Sequence, residues 1–328
     1  MNIDFDTGYI LNINSIIILI ISFLVCLLIA KKIDISVILV SILYLWHSLF
    51  LIIYYMYSYT ARIDTQSYYR GAKDGFLEWR LGNESGAIII ENITSLLIRL
   101  FNFSYFNTFL FFHFIGFLGI IVFIKNINEI NKNNNKNNLI IFLILLLPSM
   151  HFWTNGIGKD PLTFLFTNLF IYSWLKIYNR SLLLITSIIF MFFIRPYIGV
   201  AMISCSFISI LFSKNFEIKT KIIIFFVLTL PALILIKSVI DRIGFGGIFQ
   251  FETLTFNLNV FVEYMERRNF ITSLSETSYV NNYLNPLLNY YFKPNIFDIN
   301  NIFSLIIAFE NLFIFIILII SIINIPFS

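Results

Sequence analysis

Apolar residues along the chain gather into about nine runs, most of them roughly 15 to 23 residues long, separated by short polar breaks. A helix rises about 1.5 Å per residue, so about 20 such residues cross a hydrocarbon core roughly 30 Å thick. The pattern predicts an all-α, polytopic transmembrane helix bundle. Its spans fall near 13–30, 35–57, 106–124, 139–154, 162–175, 181–194, 197–213, 221–239 and 303–324. Residues 1–328 read as a single integral membrane domain with two long non-spanning segments, 58–105 and 240–302, and two short hairpins at 155–161 and 195–196. Within the first segment, 87–101 is polar at Glu91, Asn92 and Arg99 but apolar at helical spacing, which suits a helix lying in the membrane interface; a re-entrant helix is the alternative. The second segment follows Gly244-Phe245-Gly246-Gly247 with an amphipathic stretch carrying Glu263, Glu266, Arg267 and Arg268, and reads as a larger cap of one or two helices.

Composition agrees with lipid as the solvent: 59% of residues are hydrophobic, 12% are charged, and Phe alone fills 39 positions, too little polar surface to cover a water-soluble domain. Cys26 and Cys205 both lie inside apolar runs, so neither a disulfide framework nor a zinc site of paired cysteines is indicated. Charge orients the bundle. Alternate loops hold Lys31, Lys32, Lys125, Lys132, Lys136, Lys176, Arg180, Lys214, Lys219 and Lys221 against only Asp34, Glu129 and Glu217, so that face is expected in the cytoplasm. The acidic stretch before the first run lacks the basic start of a cleavable signal, and the N-terminus is expected outside. Both long segments then fall on the outer face, where function is expected. The basic residues form no stripe interleaved with aromatics, which argues against nucleic acid as a partner.

Ionisable residues held at span ends are costly, which makes them candidates for function. Gly158-Lys159-Asp160-Pro161 opens the fifth span, where Asp suits a cap, Pro the first helical position, and the free N–H groups an anion. A plain capped helix with a snorkelling lysine is the ordinary alternative. Arg195-Pro196 turns one apolar stretch into a tight hairpin and fixes the arginine near the membrane surface, where binding lipid headgroups would be its ordinary role. After the second span come Arg62, Asp64, Tyr68, Tyr69 and Arg70, a cluster that otherwise reads as a solvated loop with local ion pairs. Lys293 belongs to the same outer-face set. If Arg62, Lys159 and Arg195 converge, they form a cationic pocket at headgroup depth suited to a diphosphate. Of the three histidines, His47 and His113 lie mid-span and read as packed, while His151 near Trp153 is a candidate base or an aromatic-belt residue. No phosphate-cradling glycine loop, zinc spacing or Ser-His-Asp order is present.

Arg62-Ile63-Asp64-Thr65-Gln66-Ser67-Tyr68-Tyr69 after the second span, Gly156-Ile157-Gly158-Lys159-Asp160-Pro161-Leu162 at a later span start, and Phe193-Ile194-Arg195-Pro196-Tyr197 at the next hairpin together resemble the Wzy-type O-antigen and capsule polymerases and the related EpsG-like membrane proteins. The likeness covers roughly residues 35–215, with a weaker echo from Tyr291-Phe292-Lys293-Pro294 to Glu310-Asn311. EpsG-like proteins usually carry Arg-Gln where Lys159-Asp160 stand. The resemblance implies a glycosyltransferase of the bacterial inner membrane that polymerises undecaprenyl-diphosphate-linked oligosaccharide repeat units on the periplasmic face. Asp64, Asp160 and Arg195 would be catalytic. Arg62, Tyr68, Tyr69, Arg70, Lys159, His151 and Lys293 would bind substrate, Tyr68 and Tyr69 against sugar faces. Donor and acceptor glycolipids and the bilayer would be the partners, with room for a chain-length regulator; no cofactor or metal is demanded. Two rivals stand beside it. One is a GT-C transferase using a polyprenyl-phosphate sugar and a metal on paired acids, for which Asp64 with Asp74 or Glu78 is a loose candidate. The other is a lipid-linked oligosaccharide flippase, which would need charges spread through a central cavity.

Overall fold

The computed structural model describes residues 12–60, 63–74, 85–131, 138–212, 249–250, 255–256, 299 and 302–323. It is helical almost throughout. The helices are α1 (Ile13–Lys32), α2 (Val37–Thr60), α3 (Asp64–Asp74), α4 (Ser85–Phe101), α5 (Tyr105–Ile130), α6 (Asn138–Leu145), α7 (Pro148–Trp153), α8 (Lys159–Trp174), α9 (Ser181–Ile194), α10 (Pro196–Phe212) and α11 (Ile302–Ile323). Two two-residue strands pair antiparallel, Phe249 opposite Phe256 and Gln250 opposite Thr255.

Among the described residues three helices, α1, α2 and α5, are long and apolar enough to cross a membrane, and this makes the chain a membrane protein. The expectation of about nine spans is thereby reduced: Ser181–Ile194, Pro196–Ile210 and Ser304–Ile320 are apolar but shorter, and 221–239 lies outside the described residues. The expected span at 139–154 is broken. Pro148 has no N–H to give a preceding turn and disfavours helix at the residue before it, so α6 ends at Leu145 and α7 starts afresh.

The chain divides into two compact units. Unit 1 comprises residues 1–146 and 150–239. Its centre is α5, 67% buried over its most apolar window, against 22% for α1 and 33% for α2. Two glycines on α5 explain how neighbouring backbone comes so close. A Cβ on Gly116 would stand 2.1 Å from the Thr154 carbonyl oxygen, and one on Gly119 would stand 2.6 Å from Phe164 of α8. Polar side chains tie the helices where no water can: Ser15 Oγ of α1 donates to Asn107 Oδ1 of α5 (2.6 Å), Asn126 Nδ2 of α5 to the Asn168 carbonyl of α8 (2.9 Å), and Lys125 Nζ to the Ile33 carbonyl of the α1–α2 turn (2.7 Å). One apolar cluster gathers Tyr54, Tyr55, Tyr68, Tyr105, Phe109, Ile157 and Ile194; a second gathers Cys26, Val40, Tyr44, Phe117 and Ile121.

The helix expected at 87–101 is present as α4, and among the described residues of the first long segment α3 precedes it. They pack closely: a Cβ on Gly71 of α3 would stand 2.9 Å from the Glu91 carboxylate of α4. Asn102, in the left-handed region at φ 53°, ends α4, and Ser104 then caps α5 by accepting from the Asn107 N–H (3.2 Å).

Unit 2 comprises residues 147–149 and 240–328. In it Glu310 of α11, 5% exposed, accepts from the Ser149 N–H (3.0 Å) and from the Ser149 hydroxyl, which satisfies a buried carboxylate at a helix start. Apart from the strand pair and residue 299, the expected cap at 240–302 lies outside the described residues up to the start of α11.

Candidate functional site

Asp64, Tyr68, Lys159, Asp160 and Arg195 of unit 1 lie on α3, at the start of α8 and at the end of α9, all of which pack against α4. Gly158, extended at φ 173°, is the N-cap of α8 and offers no side chain, so Lys159, Asp160 and Pro161 all lie inside the first turn. The expectation that Asp160 caps this helix is therefore corrected: Gly158 takes that place. The close approach lies two residues earlier, where a Cβ on Gly156 would stand 2.4 Å from the Tyr54 ring, while one on Gly158 would make an ordinary contact with Tyr68 at 3.9 Å. Asp160 in the first turn still complements the positive end of the helix dipole.

Arg195 is the C-cap of α9, left outside the helix because Pro196 starts α10. Its Nη2 donates to Asp160 Oδ1 and its Nη1 to the Tyr197 hydroxyl (3.3 Å), while its Nε is buried with no hydrogen-bond acceptor. The pair is half-open, with the side chains 26% and 45% exposed. The Lys159 amine lies nearby: a Cβ on Gly86 at the start of α4 would stand 2.4 Å from the Ile194 carbonyl and 3.3 Å from Lys159 Nζ. Gly86 thus lets the start of α4 close over the α8–α9 junction.

These groups lie within electrostatic reach of one another. Partial burial raises the Asp160 carboxyl above the ordinary aspartate value; Arg195 and Lys159 pull it back, and the Asp64 carboxylate pushes it further up. The Tyr68 phenol is raised to about 12, first by burial, then by Asp64 and Asp160, with Arg195 opposing and Glu91 adding to the rise. Asp64 is exposed at the start of α3. Tyr68, only 8% exposed, has little ring face left for a sugar, and Tyr69 packs edge-on against Tyr105 at 5.0 Å and donates to the Phe103 carbonyl (3.4 Å). Arg70 turns back along α3 to Gln66 Oε1 (2.9 Å). Arg62 and Lys293, both expected in the pocket, lie outside the described residues.

Sequence reasoning missed Glu91, seen only as an obstacle to a span, and Gly86, whose role depends on a close approach no spacing reveals. His47 and His113 are packed, as expected, but the fate of His151 was missed. His151 does not join this site: it is fully buried beside His47, whose ring stacks on His113. Helix α7 carries His151 inward because the break at Pro148 re-aims the chain.

No family model matches the sequence, no curated protein matches it, and no solved structure matches it.

Proposed function

We propose that this membrane protein polymerises undecaprenyl-diphosphate-linked oligosaccharide repeat units on the outer face of the bacterial inner membrane, as the resemblance to the Wzy-type and EpsG-like proteins implies. One observation carries the reading: a guanidinium only partly engaged by Asp160, its buried Nε without an acceptor, beside the Lys159 amine at the start of a sixteen-residue helix. A buried donor left unpaired costs roughly 1–3 kcal/mol, a cost that an incoming phosphate oxygen would remove.

In the proposed step an acceptor sugar hydroxyl attacks the anomeric carbon of the donor glycan. The new C–O bond forms as the bond to the lipid diphosphate breaks, and the electron pair leaves with the diphosphate. Arg195 and Lys159 stabilise that developing charge, and Asp64 or Asp160 takes the hydroxyl proton. Asp160 suits this role because Arg195 orients it while its carboxyl titrates above the ordinary range. Binding of the diphosphate draws Arg195 away from Asp160 and frees the carboxylate for the acceptor.

The test is reconstitution of the purified full-length chain in liposomes with a lipid-linked repeat unit. Glycan ladders accompanied by one undecaprenyl diphosphate released per bond formed support the proposal. Transbilayer movement of the glycolipid without elongation would replace it with the flippase reading, and elongation only from a polyprenyl monophosphate sugar with the GT-C reading.

A further inference from the structure

We infer that the facing His47 and His151 imidazoles form a buried proton-binding site, holding one proton more than two neutral rings carry, between α2 and α7 in unit 1. The inference is independent of the proposed function. It follows from counting protons along one line of contacts. His47 Nε2 lies 3.2 Å from the His113 carbonyl oxygen, His47 Nδ1 lies 3.1 Å from His151 Nδ1, and His151 Nε2 lies 2.7 Å from the Leu145 carbonyl oxygen. A carbonyl only accepts, so each outer contact needs an N–H on the ring. The central contact needs an N–H as well, since it sets nitrogen against nitrogen at hydrogen-bonding distance. Three protons are required, and two neutral imidazoles supply two.

The neighbours do not relieve the shortage. Asn155 Nδ2 gives its two protons to the carbonyls of His47 (3.0 Å) and His151 (2.6 Å) and stands 3.4 Å from His47 Nδ1. Its Oδ1 accepts from His113 Nδ1 (2.7 Å), which fixes the amide's orientation. Turning over either ring of the pair would put carbons at both of its contacts. A metal ion between the two Nδ1 atoms would have two ring ligands, and among the described residues no three His, Cys, Asp or Glu side chains are arranged to hold one.

Acceptor dipoles and aromatic rings surround the pair. The carbonyls of His113 and Leu145 point at its two ends. Phe50 stacks near His151 at 6.0 Å, Phe117 lies 5.5 Å from His47, and the His113 ring stacks on His47 at 4.5 Å. The titratable groups facing the pair are His113 from α5 and, beyond it, Tyr44 from α2, whose ring meets His113 at 5.1 Å and whose hydroxyl pairs with Ser22 of α1 at 2.6 Å. From α7 and the turn after it come only carbonyls and the Asn155 amide. Losing the proton sets two lone pairs against each other at one of the three contacts.

Because the chain has only three histidines, nitrogen-15 NMR of the histidine-labelled full-length protein in lipid nanodiscs reads the count directly. At neutral pH four of the six ring nitrogens are expected to carry protons, with two retaining free lone pairs, and raising the pH removes one proton from the pair in a single coupled step. Three protonated nitrogens at neutral pH would overturn the inference. So would a spectrum that a chelator alters together with stoichiometric bound metal. Thermal unfolding gives a second reading: a folded state that binds the extra proton loses stability as pH rises through the pair's titration, and His47→Gln abolishes that slope. A wild-type slope unchanged in His47→Gln would count against the site.

Discussion

Helix α9 is bounded by two arginines, Arg180 at its start and Arg195 at its end, and each meets a carboxylate from another helix. Arg180 is closed off. It donates through both Nη atoms to Glu129 of α5 (3.2 and 2.9 Å) and through Nη1 to the Tyr172 carbonyl (2.6 Å), and its guanidinium lies 3.5 Å from the centre of the Tyr172 ring. The pair is 15% and 7% exposed, and Lys176 adds a second cation 3.7 Å from Glu129. Arg195 holds Asp160 through one nitrogen, is more open, and keeps a buried Nε unmet. The two pairs look alike in a list of ion pairs, but Arg180 makes three hydrogen bonds and covers an aromatic ring, whereas Arg195 holds its carboxylate through one nitrogen and keeps a buried Nε unmet.

Arg195→Ala gives the largest expected change: activity of the reconstituted protein falls roughly 10²- to 10³-fold, the usual effect of removing a charge-stabilising donor, with the thermal midpoint barely moved. A midpoint lowered as far as in Arg180→Ala would erase the contrast. Gly116→Ala comes next, since its methyl would collide with the Thr154 carbonyl, and should cost about 3 kcal/mol in unfolding measurements. Arg180→Ala leaves Glu129 with Lys176, 3.7 Å away, in place of a partner that binds both its oxygens, and should cost about 2 kcal/mol while leaving turnover per folded molecule intact. In a pH–activity profile, Asp160 as the base of the proposed step predicts an acid limb that rises with pH at a value above that of an ordinary aspartate and that Asp160→Asn flattens, whereas a limb unchanged in Asp160→Asn would assign the role to Asp64. Smallest of all, Tyr68→Phe should change KM less than threefold, because the ring is already committed to the core.

Helices α1, α2, α5 and α8–α11 were legible because burial in lipid or core requires long apolar runs, and their predicted edges fall within a few residues of those observed. The sequence reading also put Lys159, Asp160, Arg195 and Asp64 together as candidates, since charges at helix ends stand out against an apolar chain. It failed where one residue decides direction. Pro148 splits a run that hydropathy reads as continuous, and His151 is thereby carried into the core. Crossing the membrane and packing inside a bundle both select apolar residues, so composition alone counted short helices such as α9 as spans.

The glycine face of α5 also governs how the chain can be made. Ribosomes deliver α5 to the membrane before residues 154–168 exist, yet His113 Nδ1 and Asn126 Nδ2 find their partners there, at Asn155 Oδ1 and the Asn168 carbonyl. A nascent chain ending at residue 131 therefore presents lipid with an incomplete helix that insertion machinery must shelter until its partner arrives. Such truncated chains should be degraded several-fold faster than those extending through α8, in pulse-chase measurements on membranes.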